Sequence, residues 1–293
     1  MTGTVVITGA SGFIGGNLCA WFAGRGWSVR ALVRSPMDFQ APGTAIETYH
    51  CDLPDRIDAD ALTDATAVIH CAYETRTSEL ERARATNEEG TRRLHELSRS
   101  AGVDRFVFLS STAAHPGALS YYGRSKLAIE DRLDLGTDSV IRAGLVIGPG
   151  RNGLFHRMAD SLRRTRLVPI VAGGAQTLQS VYIDDLATAI ERVIDRGDTG
   201  KRVVAEADGL SVRDFFNALG ERIDARPRFV PVPGRALVAA LQLTERLRIP
   251  LPVTSENVLG MRSLRYQDPR GDLEALGITV RGARESLDLA LRA

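Results

Sequence analysis

Apolar residues in the first half of the chain fall into two alternating kinds of segment. Short runs rich in Val, Ile and Leu predict buried strands, and the longer segments between them carry apolar residues at helical spacing. The first predicted helix places Ile14, Leu18 and Phe22 on one face. Strands and helices that alternate in this way predict an α/β fold, a Rossmann-like doubly wound parallel sheet. The predicted strands cover 4–7, 28–34, 45–50, 67–72 and 105–109, and the later helices cover 88–100 and 121–130.

The strict alternation ends after Gly150, and the remaining sequence predicts a smaller, mostly helical part. Ser211 with Asp214 three residues later is typical of a capped helix start. Prolines at 227, 231 and 233 indicate an extended segment. The predicted helices cover 154–164, 184–195, 236–247, 256–262 and 272–276, and the predicted strands cover 179–183 and 202–205.

Three glycines, Gly9, Gly12 and Gly15, lie between the first predicted strand and the first predicted helix. A helix N-terminus offers free N–H groups and the positive end of the helix dipole, which suit a pyrophosphate. Gly9 permits a tight turn, Gly12 lets the backbone approach phosphates, and Gly15 lets the helix pack closely. The spacing G-x-x-G-x-x-G departs from the standard G-x-G-x-x-G, but its place between strand and helix predicts a dinucleotide site.

The end of the second predicted strand bears on which dinucleotide binds. In dinucleotide folds an acidic residue about 20 residues beyond the glycines binds the ribose 2′-hydroxyl, whereas a cation accommodates a 2′-phosphate. This chain has Arg34 at that place and no Asp or Glu. A planar guanidinium suits a phosphate, so the sequence favours NADP, with NAD as the other cofactor considered. A solvated surface arginine is the alternative interpretation.

Composition narrows the class of protein. Charged residues make up 25% of the 293 residues and hydrophobic residues 44%, the range of soluble globular proteins. A net charge of +1 does not support a nucleic-acid partner. The three scattered cysteines and five histidines lack metal-ligand spacing, so no metal site is expected. No apolar run is long enough to span a bilayer and no signal peptide is evident, so a cytoplasmic protein without membrane contact is expected.

The predicted helix over 121–130 places Tyr122 and Lys126 on one face, four residues apart. A phenol has an ordinary pKa of about 10, and a neighbouring ammonium lowers that pKa. Ser111, at the end of the preceding strand, could hold a substrate oxygen beside the phenol. Ser, Tyr and Lys together can serve carbonyl–alcohol interconversion beside a nicotinamide. A Tyr–Lys pair alone is commonplace on solvated helices, so this interpretation depends on the glycine turn and the Ser-Ser strand end.

The chain resembles an extended or atypical short-chain dehydrogenase/reductase of the NAD-dependent epimerase/dehydratase family, because the motifs of that family recur here in the same order. The matching segments run from residue 2 to about 190, whereas the last hundred residues fit only by general pattern. The motifs lie at 8–15, 51–53, 68–72, 86–91, 108–111, 122–126, 142–149 and 181–187.

The resemblance implies roles for individual residues. Ser111 and Tyr122 would be the catalytic hydroxyls, with Tyr122 as general acid/base, and Lys126 would lower the pKa of Tyr122 and bind the nicotinamide ribose. Asp52 and Leu53 would flank the adenine, and Asn87 would be mainly architectural. The full set predicted to bind the cofactor is Gly9, Ser11, Gly12, Phe13, Ile14, Gly15, Arg34, Asp52, Leu53, Cys71, Ala72, Tyr73, Tyr122 and Lys126.

The resemblance also divides the chain. Residues 1–150 would form the NAD(P)-binding Rossmann domain, about 178–206 would return to its sheet, and 151–177 with 207–293 would form the substrate-binding lobe. The substrate would lie beside Thr112, Asn152, Tyr182 and the 73–77 loop. A homodimer through the helices flanking the Tyr122 segment is also implied. The arginines of 154–166 could meet a diphosphate or carboxylate, although a solvated helix face is favoured.

Three features depart from the family pattern. Only eleven positions separate Ser111 from Tyr122, so the loop over the site is trimmed. The usual Arg-Pro before the V-x-G-P-G segment is Arg142-Ala143 here. Sugar-nucleotide members carry a diphosphate-binding arginine where this chain has Leu178, which weakens a nucleotide-sugar interpretation.

The sequence therefore predicts an NAD(P)-dependent oxidoreductase that moves a hydride between nicotinamide and a carbonyl or alcohol of a small-molecule substrate. One alternative is a nucleotide-sugar epimerase or dehydratase with tightly bound NAD. An alternative of another class is a non-catalytic NADPH-binding sensor or assembly subunit.

Overall fold

The computed structural model describes residues 3–39, 46–75, 79–150, 152–231, 238, 241–242, 244 and 254–292. The strands are β1 (Thr4–Thr8), β2 (Ser28–Val33), β3 (Ile46–Asp52), β4 (Arg56–Ile57), β5 (Ala67–His70), β6 (Arg105–Ser111), β7 (Asp138–Ala143), β8 (Leu145–Ile147), β9 (Leu167–Ile170), β10 (Thr177–Leu178), β11 (Ser180–Tyr182), β12 (Gly200–Val204), β13 (Leu210–Ser211) and β14 (Arg228–Pro231). The α-helices are α1 (Phe13–Gly24), α2 (Leu80–Arg84), α3 (Gly90–Ser100), α4 (Tyr121–Glu130), α5 (Leu154–Thr165), α6 (Ile183–Arg196), α7 (Val212–Arg222), α8 (Ser255–Arg262), α9 (Arg270–Leu276) and α10 (Ala283–Arg292).

Eight strands form the main sheet, in the order β12–β7–β6–β5–β1–β2–β3–β4. The pairs β1–β2, β1–β5, β2–β3 and β5–β6 are parallel, and the short β4 runs antiparallel to β3. The order reverses direction at β1, which is the switch point where doubly wound sheets bind ligands. The predicted α/β, Rossmann-like fold with a helical C-terminal part is confirmed.

The second half of the chain differs in part from the expectation. The predicted strand over 202–205 corresponds to β12 and joins the main sheet. The predicted strand over 179–183 corresponds to β11, which pairs in parallel with β8 in a separate two-stranded sheet. β14 lies in the extended segment predicted around Pro227 and Pro231, whereas β9 and α10 have no counterpart among the predicted elements. The helix predicted over 236–247 lies largely outside the described residues.

The chain divides into two compact units. The first contains residues 1–110, 128–142 and 186–202, and the second contains 111–127, 143–185 and 203–293. The functional division into a nucleotide-binding part and a substrate-binding lobe stays a prediction.

The first unit has its core between the sheet and helices α1 and α3. Val5, Val6 and Ile7 of β1 are fully buried, which is why this strand is a continuous apolar run. Val6 shares one hydrophobic cluster with Phe106 and Phe108 of β6. The further buried members are Leu32, Leu62, Val68, Leu94, Ile129 and Val140.

The second unit has a core of its own, built around α5, α7 and α10. Phe155, Phe215 and Leu287, one on each of these helices, are fully buried. Glu206 is a buried polar anchor that accepts hydrogen bonds from the Ser180 hydroxyl at 2.8 Å and the Ala283 N–H at 2.7 Å. Within the described residues, no helix has the length and apolar character needed to cross a bilayer.

Candidate active site

The glycine turn after β1 has the geometry that the sequence predicts. Gly9 has a φ of +66°, and its carbonyl accepts the Gly12 N–H at 2.8 Å. A Cβ at Gly9 would lie 2.9 Å from the Cα of Ala72, so the turn and the end of β5 approach closely. A Cβ at Gly15 would lie 2.7 Å from the Gly9 carbonyl carbon. Each of these two positions therefore excludes a side chain.

The N-terminus of α1 fits a dinucleotide phosphate. Gly12 is the N-cap residue, and no side chain caps the helix. Ser11 and Gly12 are both exposed. Backbone N–H groups at such a helix start bind anions, and the missing side chains leave room for a pyrophosphate to approach.

The neighbouring strands place the other predicted cofactor residues at the same edge of the sheet. Arg34 directly follows β2 and is exposed, and Asp52 ends β3 and is exposed too. Arg30 lies within β2, four residues before Arg34. Its guanidinium donates a hydrogen bond to the Ala61 carbonyl at 3.0 Å. Arg34 is therefore the guanidinium at the end of β2 that faces solvent.

Ser111 and Tyr122 come together in the second unit. Ser111 is the last residue of β6, Tyr122 lies in the first turn of α4, and their side chains are hydrogen-bonded. Lys126, one turn after Tyr122, is buried with 3% of its surface exposed. The structure thus pairs the two hydroxyls that the sequence predicts to be catalytic.

Burial raises the pKa of the Tyr122 phenol above its ordinary value of 10.0, and the hydrogen bond with Ser111 opposes this shift. The sequence predicts that Lys126 lowers this pKa. Burial is the largest influence on this pKa, because removing the phenolate from water disfavours the charged form. Tyr122 is therefore protonated at neutral pH and can donate a proton.

Gly123 lets α4 lie against the loop that follows Ser111. A Cβ at this position would lie 2.8 Å from the Ala118 Cβ and closer still to the Ala113 carbonyl oxygen. Because the carbonyl is backbone, it cannot move aside without moving the loop. The distance between Ser111 and Tyr122 therefore depends on residue 123 having no side chain.

We expect Gly123→Ala to slow turnover by about 10- to 100-fold, since displacement of a reacting group by about 1 Å has effects of that order. The same overpacking should lower the free energy of unfolding by about 1–3 kcal/mol. Steady-state kinetics and thermal unfolding measure the two effects. Gly271→Ala is the matched control, because a Cβ there meets nothing within 4 Å. Equal turnover by the two variants would contradict the prediction.

A buried carboxylate that sequence reasoning missed supports this region. Glu130 lies one turn beyond Lys126 on α4, and its side chain is fully buried. It accepts a hydrogen bond from Ser110, which directly precedes Ser111, and it pairs with Arg142 at 2.6 Å and with Lys201 at 3.1 Å. The four-residue spacing between Lys126 and Glu130, which puts both on one face of α4, is the sequence feature that could have indicated this role. Arg142, which precedes Ala143 where the family usually has Arg-Pro, thus pairs with the Glu130 carboxylate.

The segment over 254–267 contacts the 112–121 loop at several points within the second unit. The Glu256 carboxylate accepts the Tyr121 N–H at 2.6 Å, a favourable charge at the start of α4. His115 hydrogen-bonds to the Ser263 carbonyl at 2.7 Å, and the Gln267 amide donates to the Thr112 carbonyl. These contacts span more than a hundred residues of sequence, and no local pattern predicts them.

The predicted substrate residues occupy different surroundings. Thr112 directly follows Ser111, and its carbonyl is held by Gln267. Asn152 has a φ of 75°, in the left-handed region that asparagine tolerates. Tyr182 is buried, with the Arg281 guanidinium 5.0 Å from its ring centre. Arg281 also pairs with Asp185.

His156 fixes the loop that carries Asn152. Its Nδ1 accepts the Gly153 N–H at 3.3 Å, and its Nε2 lies 3.1 Å from the Gly148 carbonyl, to which it donates. Burial lowers the pKa of His156 below its ordinary 6.5, against the opposing effects of the Gly148 carbonyl and Asp160. The ring is therefore neutral in the folded protein at neutral pH.

We expect the free energy of unfolding to fall as the pH drops below about 6.5, because the unfolded chain then takes up a proton that folded His156 does not. The loss should continue down to the lower pKa of the folded state. Denaturant unfolding at a series of pH values checks this for the wild type and His156→Gln. The variant should show a shallower slope in that window, and identical slopes would contradict the assignment.

With this geometry in place, sequence comparison identifies the family. The profile of the NAD dependent epimerase/dehydratase family matches residues 5–205. The chain belongs to this family. Members bind NAD or NADP, and the relatives of this chain include epimerases, dehydratases, reductases and dehydrogenases, so an enzyme of the extended short-chain dehydrogenase type is supported.

Two curated members of the epimerase/dehydratase family illustrate the range. Ceramide reductase of Caulobacter vibrioides is 29% identical over 252 residues, covering 83% of this chain and 78% of that protein. Sterol demethylase protein B of Methylococcus capsulatus is 28% identical over 252 residues, covering 77% of this chain and 76% of that protein.

Solved structures of the epimerase/dehydratase family share the whole fold. MoeE5 in complex with UDP-glucuronic acid and NAD superposes with a TM-score of 0.77 at 25% identity, covering 99% of this chain and 98% of that one. The human epimerase family protein SDR39U1 with NADPH superposes with a TM-score of 0.72 at 20% identity, covering 99% of this chain and all of that one. The fold thus occurs with either cofactor.

Proposed function

We propose that this member of the epimerase/dehydratase family is an NADP-preferring oxidoreductase that interconverts a carbonyl and an alcohol. The observation that carries the proposal is the hydrogen-bonded Ser111–Tyr122 pair, with Lys126 buried one turn away. The intact glycine turn supplies the second requirement, a helix start that accepts a dinucleotide.

The residues divide the chemistry among themselves. A bound nicotinamide dinucleotide supplies or accepts the hydride. Ser111 holds the substrate oxygen by a hydrogen bond, and Tyr122, protonated because burial raises the pKa of its phenol, donates the proton that oxygen needs during reduction. Lys126 binds the nicotinamide ribose and favours the phenolate that forms once the proton has left. The N–H groups around Gly12 hold the pyrophosphate.

The preference for NADP rests on Arg34. Its exposed guanidinium follows β2, where a 2′-phosphate on the adenosine ribose can be bound in bidentate fashion. A surface arginine with no cofactor role is the competing interpretation, and a titration separates the two.

We expect NADPH to bind the wild type at least about tenfold more tightly than NADH, because a charged hydrogen bond contributes about 1.5–3 kcal/mol. Arg34→Ala should remove most of that difference and leave NADH binding unchanged. Fluorescence titration of both cofactors measures this, with Arg192→Ala, an exposed arginine on α6, as control. If NADH binds more tightly than NADPH and Arg34→Ala does not change its affinity, the proposal is contradicted.

The proposed substrate is an apolar ketone or alcohol. At the place where sugar-nucleotide members carry a diphosphate-binding arginine, this chain has Leu178, which is in β10 opposite Leu210. A leucine cannot pair with a diphosphate, whereas it suits an apolar substrate. The similarity to ceramide reductase and to sterol demethylase protein B supports the same class.

A nucleotide-sugar epimerase or dehydratase is the second candidate, favoured by the likeness to MoeE5. In that case the cofactor is regenerated within each turnover and stays bound. Purified protein that carries NAD and converts a UDP-hexose without added cofactor would favour it. A non-catalytic cofactor sensor is the third candidate, and it predicts that Tyr122→Phe preserves the biological activity while Arg34→Ala abolishes it.

A further inference from the structure

A continuous set of buried hydrogen bonds runs through His70, the last residue of β5. The ring is fully buried and stacks on Phe108 with centroids 5.9 Å apart. Its Nδ1 lies 2.7 Å from the Thr8 hydroxyl, and its Nε2 lies 2.8 Å from the Thr91 hydroxyl. Both nitrogens therefore have a hydroxyl partner, one on β1 and one on α3.

Both hydroxyls are also bound to backbone, and those contacts fix the direction of every hydrogen bond. Thr91 donates its only hydroxyl hydrogen to the Asn87 carbonyl, so its oxygen must accept from His70 Nε2–H. The Thr8 oxygen accepts the N–H groups of Cys71 and Ala72, each at 3.1 Å, so its hydrogen is free to go to Nδ1. His70 is therefore neutral, with its proton on Nε2.

The ends of this chain of hydrogen bonds hold the segment over 71–74, which follows β5. Thr8 binds the N–H groups at its start. At its end, the Asn87 amide accepts the Glu74 N–H at 2.7 Å and donates to the Glu74 carbonyl at 3.1 Å. Asn87 lies in the π-helical turn Ala85–Glu89, and such turns are frequent at functional sites.

We propose that His70 is a positioning residue for the cofactor: its Nε2–H tautomer couples Thr8 to Thr91 and Asn87 and so fixes the 71–74 backbone that lines the dinucleotide. The inference rests on the proposed cofactor site, since Cys71, Ala72 and Tyr73 are predicted to contact the cofactor there. His70 itself touches Thr8, Thr91 and two phenylalanine rings. Its influence on the cofactor passes through the backbone it helps to hold.

Loss of the ring would leave two buried hydroxyls with changed partners. Without Nδ1 as acceptor, the Thr8 hydroxyl must turn toward another acceptor. The hydrogen bonds that its oxygen accepts from the Cys71 and Ala72 N–H groups then weaken. We expect His70→Leu, which provides neither donor nor acceptor, to weaken NADPH binding by about tenfold or more. His70→Gln retains one donor and one acceptor and should recover part of that loss.

The test combines cofactor titration with nitrogen NMR of the imidazole rings. The wild type should show His70 as the pure Nε2–H tautomer. Thr91 lies away from the predicted cofactor contacts, and Thr91→Val should give a mixture of the two tautomers. This variant should weaken NADPH binding by a smaller factor than His70→Leu does. His95→Gln is the matched control. His95 pairs with buried Asp138 at 3.0 Å, so this variant should lower the melting temperature and leave the NADPH dissociation constant unchanged.

The outcomes separate the inference from the proposed function. Wild-type affinity in His70→Leu, or an Nδ1–H tautomer in the wild type, would overturn the role of His70 while leaving the function standing. If the wild type binds neither NADPH nor NADH, the proposed function fails and the inference fails with it. Should His70→Leu not fold, the tautomer and the affinity of Thr91→Val decide.

Discussion

Replacement of Tyr122 by phenylalanine should lower the rate of carbonyl reduction by about 10²- to 10⁴-fold, the range that a general acid contributes. The phenyl ring keeps the packing of α4 and removes only the hydroxyl that is hydrogen-bonded to Ser111. NADPH affinity should fall far less than the rate, because the glycine turn, Arg34 and Lys126 are untouched. Single-turnover oxidation of NADPH with a substrate that the wild type reduces measures the chemical step.

Tyr121→Phe is the matched control, since it removes a neighbouring phenol from the same helix turn and should leave the rate unchanged. The pH profile adds a second check. Because burial raises the pKa of Tyr122, reduction should hold through neutral pH and decline only above the ordinary tyrosine value of about 10. Turnover by Tyr122→Phe at the wild-type rate would remove Tyr122 from the mechanism.

Replacement of Gly15 by alanine should abolish measurable cofactor binding. The added Cβ would lie 2.7 Å from the Gly9 carbonyl carbon, closer than real Cβ atoms approach, and 3.0 Å from the Ala10 Cα. The contact is with backbone on both sides, so relief requires α1 to move away from the turn that holds the Gly12 N–H on Gly9. Overpacking of this kind costs about 1–3 kcal/mol of folding free energy as well.

Gly24→Ala on the same helix is the control, because a Cβ there meets nothing within 4 Å. Alanine is the better helix former by about 0.5–1 kcal/mol, so that variant should be at least as stable as the wild type and should bind NADPH normally. Isothermal titration with NADPH, together with thermal unfolding, compares the three proteins. Normal cofactor affinity in Gly15→Ala would refute the assignment of the glycine turn.

The parts of the fold that the sequence predicts well are those encoded locally. Val5, Val6 and Ile7 predict a buried strand, and all three are buried. The glycines that follow predict a tight turn, and Gly9 has the positive φ that such a turn requires. The helix that carries Tyr122 begins and ends where the spacing places it, at Tyr121–Glu130. In each case the information lies within about a dozen residues.

The parts that escaped prediction depend on contacts distant in sequence. Glu256 binds the start of α4 and Gln267 binds the Thr112 carbonyl, across gaps of 135 and 155 residues. β11 pairs with β8 because Leu145 N–H and the Gln179 carbonyl meet, which no run of apolar residues encodes. The sequence also does not show how deeply Tyr122 is buried, and this burial raises the pKa of its phenol.

The stoichiometry of nicotinamide oxidation distinguishes a reductase from an epimerase or dehydratase. Purified protein would be given NADPH and a panel of apolar ketones, including long-chain acyl and sterol ketones, and in parallel UDP-hexoses without added cofactor. We expect one NADPH to be consumed for each alcohol formed, and no conversion of the UDP-hexoses. Conversion of a UDP-hexose with no net oxidation or reduction of nicotinamide would contradict it and identify an epimerase or dehydratase instead.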